Sequence, residues 1–206
     1  MKLIVFTEPT LIPNEEKAIT TLFQNDLEFL HLRKPDFSEN QLIHFIDEIP
    51  VEFHQRIIVH QHFKLIKKFD FKGIHLNSAN RIFYEELKTE NIKILSTSCH
   101  SFSEIIENQG KFEYMFLSPI FDSISKSGYC SAFSREELLN AKHQNIINDK
   151  IIALGGINLE NIKSLIDFGF GGVGILGNLW NYFKNDSNID LLVKQFIKLK
   201  EAVAYM

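Results

Sequence analysis

Cysteines, basic runs and long apolar stretches are all scarce in this sequence. The two cysteines, Cys99 and Cys130, form no CxxC pair, and the first residues lack the charged-then-apolar pattern of a signal peptide, so we expect a reducing cytoplasm. No basic run exceeds two residues and the net charge is -4, which argues against a nucleic-acid or anionic-membrane partner. No apolar run reaches the roughly 18 residues that cross a bilayer.

The hydrophobic content is sufficient for one substantial core. The chain has 206 residues, 45% of them hydrophobic, and no Pro/Gly/Ser-rich linker divides it. We therefore expect one domain over residues 1–206, and the sequence leaves a homo-oligomer open.

Short apolar or β-branched runs recur eight times and alternate with segments of helical spacing. The predicted strands are residues 2–6, 29–33, 56–60, 73–76, 93–98, 114–118, 150–154 and 172–176. Nearly continuous apolar strands are typical of a parallel sheet covered on both faces. The pattern predicts an α/β fold, a single (β/α)8 TIM barrel, with an open doubly wound sheet as the alternative.

Several of the helical segments open with residues that favour helix N-termini. Ser38, Ser134 and Asn158 each precede such a segment, and either Ser101 or Ser103 opens another. In a TIM barrel the working residues follow the carboxyl ends of the strands, so the loops between each strand and the next helix contain the candidate site.

Three of these loops can hold an anion. Ser123, Ser125 and Lys126 supply hydroxyl and ammonium donors that suit phosphate oxygens, although an ordinary polar loop has a similar composition. Gly155 and Gly156 follow the seventh strand, and the run GVGILGN includes the eighth, so backbone N–H groups there can surround a phosphate. Alternatively, Gly155 and Gly156 serve only to form a tight turn and bind no phosphate.

The second strand contributes two polar residues on one face, His31 and Arg33. His31 is predicted to point into the barrel, where a ligand or a polar network must satisfy it. Arg33 lies at the strand end and supports an anionic substrate.

Four histidines near the strand ends make zinc a candidate: His60, His62, His75 and His100. His62 shares a face with His60 only if the strand continues, and His75 is expected to be structural. His100 is either an acid/base group or a loop hydrogen-bonding group. The strand ends carry few carboxylates, which disfavours Mg²⁺.

The ordered series HLRK, IIVHQHF, KGIHLNSAN, STSCH, LSPIFDSISK, IALGGI and GGVGILGNL resembles thiamine phosphate synthase and the related thiazole tautomerase of thiamine biosynthesis. The resemblance covers about residues 2–180. It implies a transferase that joins a pyrimidine methyl diphosphate to hydroxyethylthiazole phosphate and releases diphosphate. Small phosphate and diphosphate compounds are then its partners.

The resemblance also implies roles for individual residues. The substrate-binding positions are Arg33, Ser123, Ser125, Lys126, Gly155, Gly156, Leu176 and Gly177, and Lys34 stands beside the position of a family lysine. Ser98 and His100 match the family's S-x-H motif and are catalytic candidates. His31 and His60 are further catalytic candidates in this chain, although the family has other residues at these positions.

Two family positions for Mg²⁺ lack a carboxylate in this chain. Gln61 occupies the position of the family's aspartate after strand three, and Asn80 occupies the position of the second aspartate. The resemblance predicts Mg²⁺ as a cofactor, whereas the loss of both carboxylates argues against its binding and should weaken synthase chemistry.

Three functions stay open, with the synthase reaction first. The second is a tautomerase-like proton transfer. Pro119 occupies the position of the family's catalytic histidine, so His31, His60 or His100 would have to move the proton. The third is a non-catalytic protein that binds thiazole phosphate. A phosphosugar isomerase or aldolase is disfavoured, because the inner strands offer no Lys or Glu base.

Overall fold

A computed structural model of the protein describes residues 1–90, 92–122, 132–181, 183–184 and 187–205. Within these residues, eight parallel strands pair in chain order and form a closed barrel. They are β1 Lys2–Phe6, β2 Phe29–Leu32, β3 Ile57–Val59, β4 Gly73–Leu76, β5 Ile94–Cys99, β6 Tyr114–Leu117, β7 Ile151–Leu154 and β8 Gly172–Ile175. The predicted barrel is confirmed, and the open sheet is excluded because β1 pairs with β8.

Helices and 3-10 turns cover the outside of the barrel. The α-helices in the described residues are α1 Glu15–Gln24, α2 Glu39–Asp47, α3 Tyr84–Leu87, α4 Phe102–Glu107, α5 Arg135–His143, α6 Gly177–Trp180 and α7 Ile189–Ala204. The 3-10 segments are Val51–Arg56, Phe63–Lys67, Asn80–Phe83 and Ile162–Phe168. Among the helices described, none combines the length and the apolarity that crossing a membrane requires.

The predicted alternation of strand and helix holds only in part, because 3-10 segments replace α-helices after β3 and β7. The connection after β3 spans only residues 60–72, and turns at both ends leave space for a single 3-10 segment. After β7, the Asn158 side chain accepts the N–H groups of Glu160 and Asn161 and closes a turn. The 3-10 segment therefore starts at Ile162, later than the expected cap at Asn158.

The serine caps agree with the prediction. Ser38 and Ser134 each form a capping box with the residue three positions on, so two backbone N–H groups are satisfied at each helix start. Ser101, and not Ser103, caps α4 and accepts the N–H of Glu104.

Alternation along the strands produces two apolar regions. Outward side chains pack under the helices and form the larger core, which includes Leu22 and Phe196. Inward side chains form a smaller cluster inside the barrel: Ile4, Phe6, Phe29, Ile58, Tyr114, Phe116 and Ile152. The apolar interior closes the barrel below its mouth, and the polar residues within it, His31, His75, Ser96 and the Tyr114 hydroxyl, are bonded to one another.

Candidate functional site

A cavity of about 550 Å³ opens at the mouth of the barrel, among the carboxyl ends of the strands. This volume is within the range typical of small-molecule sites. The sequence-predicted residues that line it are Arg33, His60, Gln61, Asn80, Ser98, His100, Gly155, Gly156, Leu176 and Gly177. Residues from the ends of six different strands therefore meet in one pocket.

At the two glycines after β7 the structure leaves no space for a side chain. Gly155 and Gly156 have φ values of +98° and +66°, where glycine is favoured. A Cβ on Gly156 would lie 2.3 Å from the carbonyl oxygen of Asp122, and one on Gly155 would lie 2.9 Å from the Cα of Pro119. The loop after β7 thus packs directly against the loop after β6, and its backbone forms one wall of the pocket.

Helix α6 starts at Gly177, on the pocket wall next to this loop. The indole Nε1–H of Trp180 donates to the carbonyl oxygen of Phe6 over 2.6 Å, which ties the helix to the end of β1. Gln195 of α7 donates to the Asn178 side chain over 3.0 Å. These bonds fix a short helix that would be marginal by itself.

Beneath the cavity, His31 is fully buried and points into the barrel as predicted. Its Nε2 lies 2.6 Å from the Tyr114 hydroxyl, and its Nδ1 lies 2.9 Å from Nε2 of His60. Burial lowers the pKa values of His31 and His60 well below the usual value, and neighbouring His75 adds to the effect. Both rings are therefore neutral at pH 7.

His75 completes this group of buried rings. Its Nδ1 and Nε2 each lie 3.0 Å from a serine hydroxyl, those of Ser96 and Ser98 respectively, so the prediction of a satisfied histidine is confirmed. Its ring stacks on that of His60, with centroids 4.3 Å apart. Burial, followed by the charge of Arg33, lowers the pKa of His75 to about 3.

His100 follows β5, lines the same pocket and is exposed. Its Nδ1–H donates to the carbonyl oxygen of Ser118 over 3.0 Å, which leaves Nε2 as the nitrogen able to accept a proton. His62 lies outside the pocket lining, because its Nε2–H donates to the Phe37 carbonyl oxygen in the loop that precedes α2.

Lys34 is the predicted binding residue that the structure places elsewhere. Its ammonium is completely buried, where it pairs with Glu15 and donates to the carbonyl oxygen of Thr10 over 2.9 Å. Burial raises the pKa of Glu15 to about 7 and lowers that of Lys34, and their mutual attraction opposes both shifts. Because Glu15 occupies the ammonium, we remove Lys34 from the candidate site.

Sequence reasoning missed two residues that shape the pocket. Arg81 donates to the carbonyl oxygen of Ser98 over 2.5 Å and pairs with Glu104 over 2.7 Å, and so joins the end of β5 to α4. Tyr114 holds the His31 ring. Strand alternation could have indicated that Tyr114 faces inward, but no local signal connects Arg81 with β5.

Comparison with known proteins identifies the family. The family model described as thiamine monophosphate synthase matches residues 3–179. The chain belongs to this family. A curated thiamine-phosphate synthase of Clostridium acetobutylicum is 26% identical over 173 residues, which cover 82% of this chain and 73% of that protein.

Solved structures agree with this family assignment. The crystal structure of thiamine phosphate pyrophosphorylase from Bacteroides thetaiotaomicron is 40% identical, with a TM-score of 0.86 over 98% of this chain and 97% of that one. The thiamine phosphate pyrophosphorylase of Pyrococcus furiosus shares the fold, with a TM-score of 0.77 and 17% identity over 99% of this chain and 96% of that one. The resemblance drawn from the motifs is therefore confirmed.

The family's metal positions show a poor fit to Mg²⁺ in this chain. Members of the family generally depend on Mg²⁺. Gln61 and Asn80 both line the pocket, and the Gln61 amide donates to the carbonyl oxygen of Lys34. Among the described lining residues there is no Asp or Glu, whereas Mg²⁺ is normally held through one or two carboxylates.

The remaining predicted residues, Ser123, Ser125 and Lys126, lie outside the described residues. Their role as a diphosphate clamp stays a prediction.

Proposed function

We propose that this protein joins a pyrimidine methyl diphosphate to hydroxyethylthiazole phosphate, forming thiamine phosphate and releasing diphosphate. The observation that carries the proposal is the pocket wall made by Gly155, Gly156, Leu176 and Gly177, in a chain of this family. Bare backbone at the seventh and eighth loops of a TIM barrel is the usual phosphate-binding position of the fold.

The two phosphate-bearing groups would occupy different sides of the pocket. The glycine wall would accept the thiazole phosphate through backbone N–H groups. Arg33 lines the same cavity and would face the diphosphate, together with Ser123, Ser125 and Lys126 by resemblance to the family. This division places the thiazole ring between the two anionic groups, in position to capture the pyrimidine cation that remains when diphosphate departs.

Arg33 would stabilise the departing diphosphate. Negative charge grows on the leaving oxygens as the bond to the pyrimidine methyl carbon breaks, so a guanidinium beside them lowers the energy of the transition state more than that of the ground state. The neutral amides Gln61 and Asn80 supply no charge that would hold Mg²⁺. We therefore propose that turnover is slow compared with family members that retain both carboxylates.

Proton transfer on thiazole phosphate is the second candidate. The observation in its favour is the hydrogen-bonded series Tyr114, His31 and His60, which reaches the pocket from inside the barrel. His100, with Nε2 as its accepting nitrogen, is an alternative base. Pro119 lines the pocket at the position of the family's tautomerase histidine and moves no proton.

The decisive experiment supplies the purified protein with both substrates and Mg²⁺, and follows thiamine phosphate, diphosphate and the thiazole tautomer together. Thiamine phosphate with an equal amount of diphosphate supports the proposal. A changed thiazole tautomer without thiamine phosphate overturns it in favour of proton transfer. Calorimetric binding of thiazole phosphate without any turnover identifies a non-catalytic binding protein.

A matched pair of variants tests the site. Arg33→Gln removes the pocket guanidinium and should lower kcat/KM, with the larger effect on kcat because the charge acts mainly in the transition state. Arg135→Gln on the exposed surface of α5 is the control and should leave both constants unchanged. Equal effects of the two variants would contradict the assignment of Arg33.

A further inference from the structure

Three histidines come together at the floor of the pocket. One ring nitrogen from each of His31, His60 and His75 lies within 4.8 Å of the other two, and no other group of three metal-binding side chains is found in the part of the chain that the structure describes. His60 and His75 line the cavity, and His31 lies beneath them.

We propose that His31, His60 and His75 bind a divalent transition-metal ion of the zinc type, with one coordination position open to the pocket. This site is separate from the family positions at Gln61 and Asn80, and its existence does not depend on which reaction the protein catalyses.

The strand register shows which nitrogens face the proposed ion. Ser96 pairs with both His75 and Tyr114 in the barrel, so these three residues lie at one level. Nδ1 of His75 and Nε2 of His31 contact the hydroxyls at this deep level. Of the other nitrogens, Nδ1 of His31 lies 2.9 Å from Nε2 of His60, and Nε2 of His75 lies 3.0 Å from the hydroxyl of Ser98 on the pocket lining. A bound ion would take the place of the Ser98 hydroxyl as the partner of His75.

The deep hydroxyls form the support that metal-binding histidines need. A ligating imidazole generally donates its second ring N–H to an acceptor, which fixes the tautomer and the ring orientation. Tyr114 and Ser96 offer such acceptors to His31 and His75, at 2.6 and 3.0 Å. Tyr114 and Ser96 are both buried, so their hydroxyls are held in place beside the two rings.

The chemistry of the donor set favours zinc-type ions over Mg²⁺. Three imidazoles suit Zn²⁺, Co²⁺, Ni²⁺ or Cu²⁺, whereas Mg²⁺ requires oxygen ligands. Three histidines with an open fourth position is a known arrangement for catalytic zinc.

Binding requires a local adjustment at His60. Tetrahedral ligands at zinc–nitrogen distances of about 2.0–2.1 Å stand roughly 3.3 Å apart, closer than the widest separation here. The His60 ring packs against His31 and His75 but is partly exposed at the pocket, so it can turn toward the ion by giving up its stack on His75. His31 and His75 stay in place on their strands.

The open position has a defined class of ligand. Arg33 lines the same pocket and its positive charge opposes a bare cation, so an anionic oxygen is favoured as the fourth ligand. A phosphate or hydroxide oxygen meets both requirements, since it binds the metal and faces the guanidinium.

Titration of the full chain with Co²⁺, after treatment with a chelator, tests the proposal. We expect visible d–d absorption that saturates at one Co²⁺ per chain and is displaced by Zn²⁺ but not by Mg²⁺. His60→Ala and His75→Ala should each weaken binding by more than about tenfold, because each removes a ligand. His100→Ala is the matched control, since His100 lines the same pocket but lies outside the triad, and its affinity should equal that of the wild type.

The Tyr114→Phe variant distinguishes metal binding by the buried triad from adventitious binding by surface histidines. The variant keeps the ring and removes only the hydroxyl, so we expect affinity to fall about 10- to 100-fold. Absence of stoichiometric Co²⁺ binding to the wild-type chain overturns the proposal. So does binding that His60→Ala and His75→Ala leave unchanged.

Discussion

Replacement of Gly156 by alanine tests whether the glycine wall shapes the pocket. Two costs add at this position. An alanine at φ +66° is strained by about 1–2 kcal/mol. Its Cβ would also lie 2.3 Å from the Asp122 carbonyl oxygen and 2.8 Å from the Phe121 carbonyl carbon, and overpacking of this kind costs about 1–3 kcal/mol. Gly156→Ala should therefore lower the free energy of unfolding by about 2–5 kcal/mol.

Gly110 supplies a control with the same backbone problem and no steric one. Its φ is +79°, and a Cβ built there meets nothing within 4 Å. Gly110→Ala should cost only the backbone strain of about 1–2 kcal/mol. The difference between the two variants isolates the close approach of the loops after β6 and β7.

Urea unfolding measures the loss of stability, and calorimetry measures the loss of affinity for thiazole phosphate. Moving the wall should misplace at least one N–H donor to phosphate, a charge-assisted bond of about 1.5–3 kcal/mol, so thiazole phosphate affinity should fall at least about tenfold. Gly110→Ala should bind with the wild-type Kd. If the two variants lose equal stability and both keep that Kd, the reasoning about the glycine wall is refuted.

The other predictions concern the diphosphate loop, the family metal positions and the buried ion pair. Lys126→Ala should weaken diphosphate binding more than thiazole phosphate binding in calorimetry, and equal losses would contradict the proposed division of the pocket. Gln61→Asp combined with Asn80→Asp should raise Mg²⁺-dependent formation of thiamine phosphate by about tenfold or more, because carboxylates restore ligands for Mg²⁺; unchanged rates would mean that these ligands do not limit turnover. Lys34→Met or Glu15→Gln alone should cost about 3–5 kcal/mol in urea unfolding, since each leaves one buried charge without its counter-charge, whereas the double variant should cost less than either. Additive costs would show that the pair is not coupled.

Local patterns were sufficient for the architecture. All eight strands were predicted within one or two residues of their positions, because buried parallel strands are recognisable as short apolar runs. Ser38 and Ser134 were predicted as caps because a capping box involves only residues three positions apart. Asn158 likewise accepts the N–H groups of Glu160 and Asn161, as a cap does, although the regular 3-10 segment starts only at Ile162.

The candidate site was predictable only as far as the fold places it. Once the strand ends are known, the barrel rule brings Arg33, Ser98 and Gly156 to one mouth. The direction in which an individual side chain points was harder to predict from the sequence. Lys34 stands next to Arg33 in sequence, yet it turns away to a carboxylate on α1.

By itself, the sequence determined the closed barrel, the inward direction of His31 and the loops that surround the pocket, since apolar periodicity and turn residues act over short distances along the chain. Only the tertiary structure decided that His31, His60 and His75 form one cluster supported by Tyr114, and that Glu15 takes the ammonium of Lys34. These contacts join residues far apart in sequence, and their partners are selected by the closing of the barrel and by the cost of burying a polar group without one.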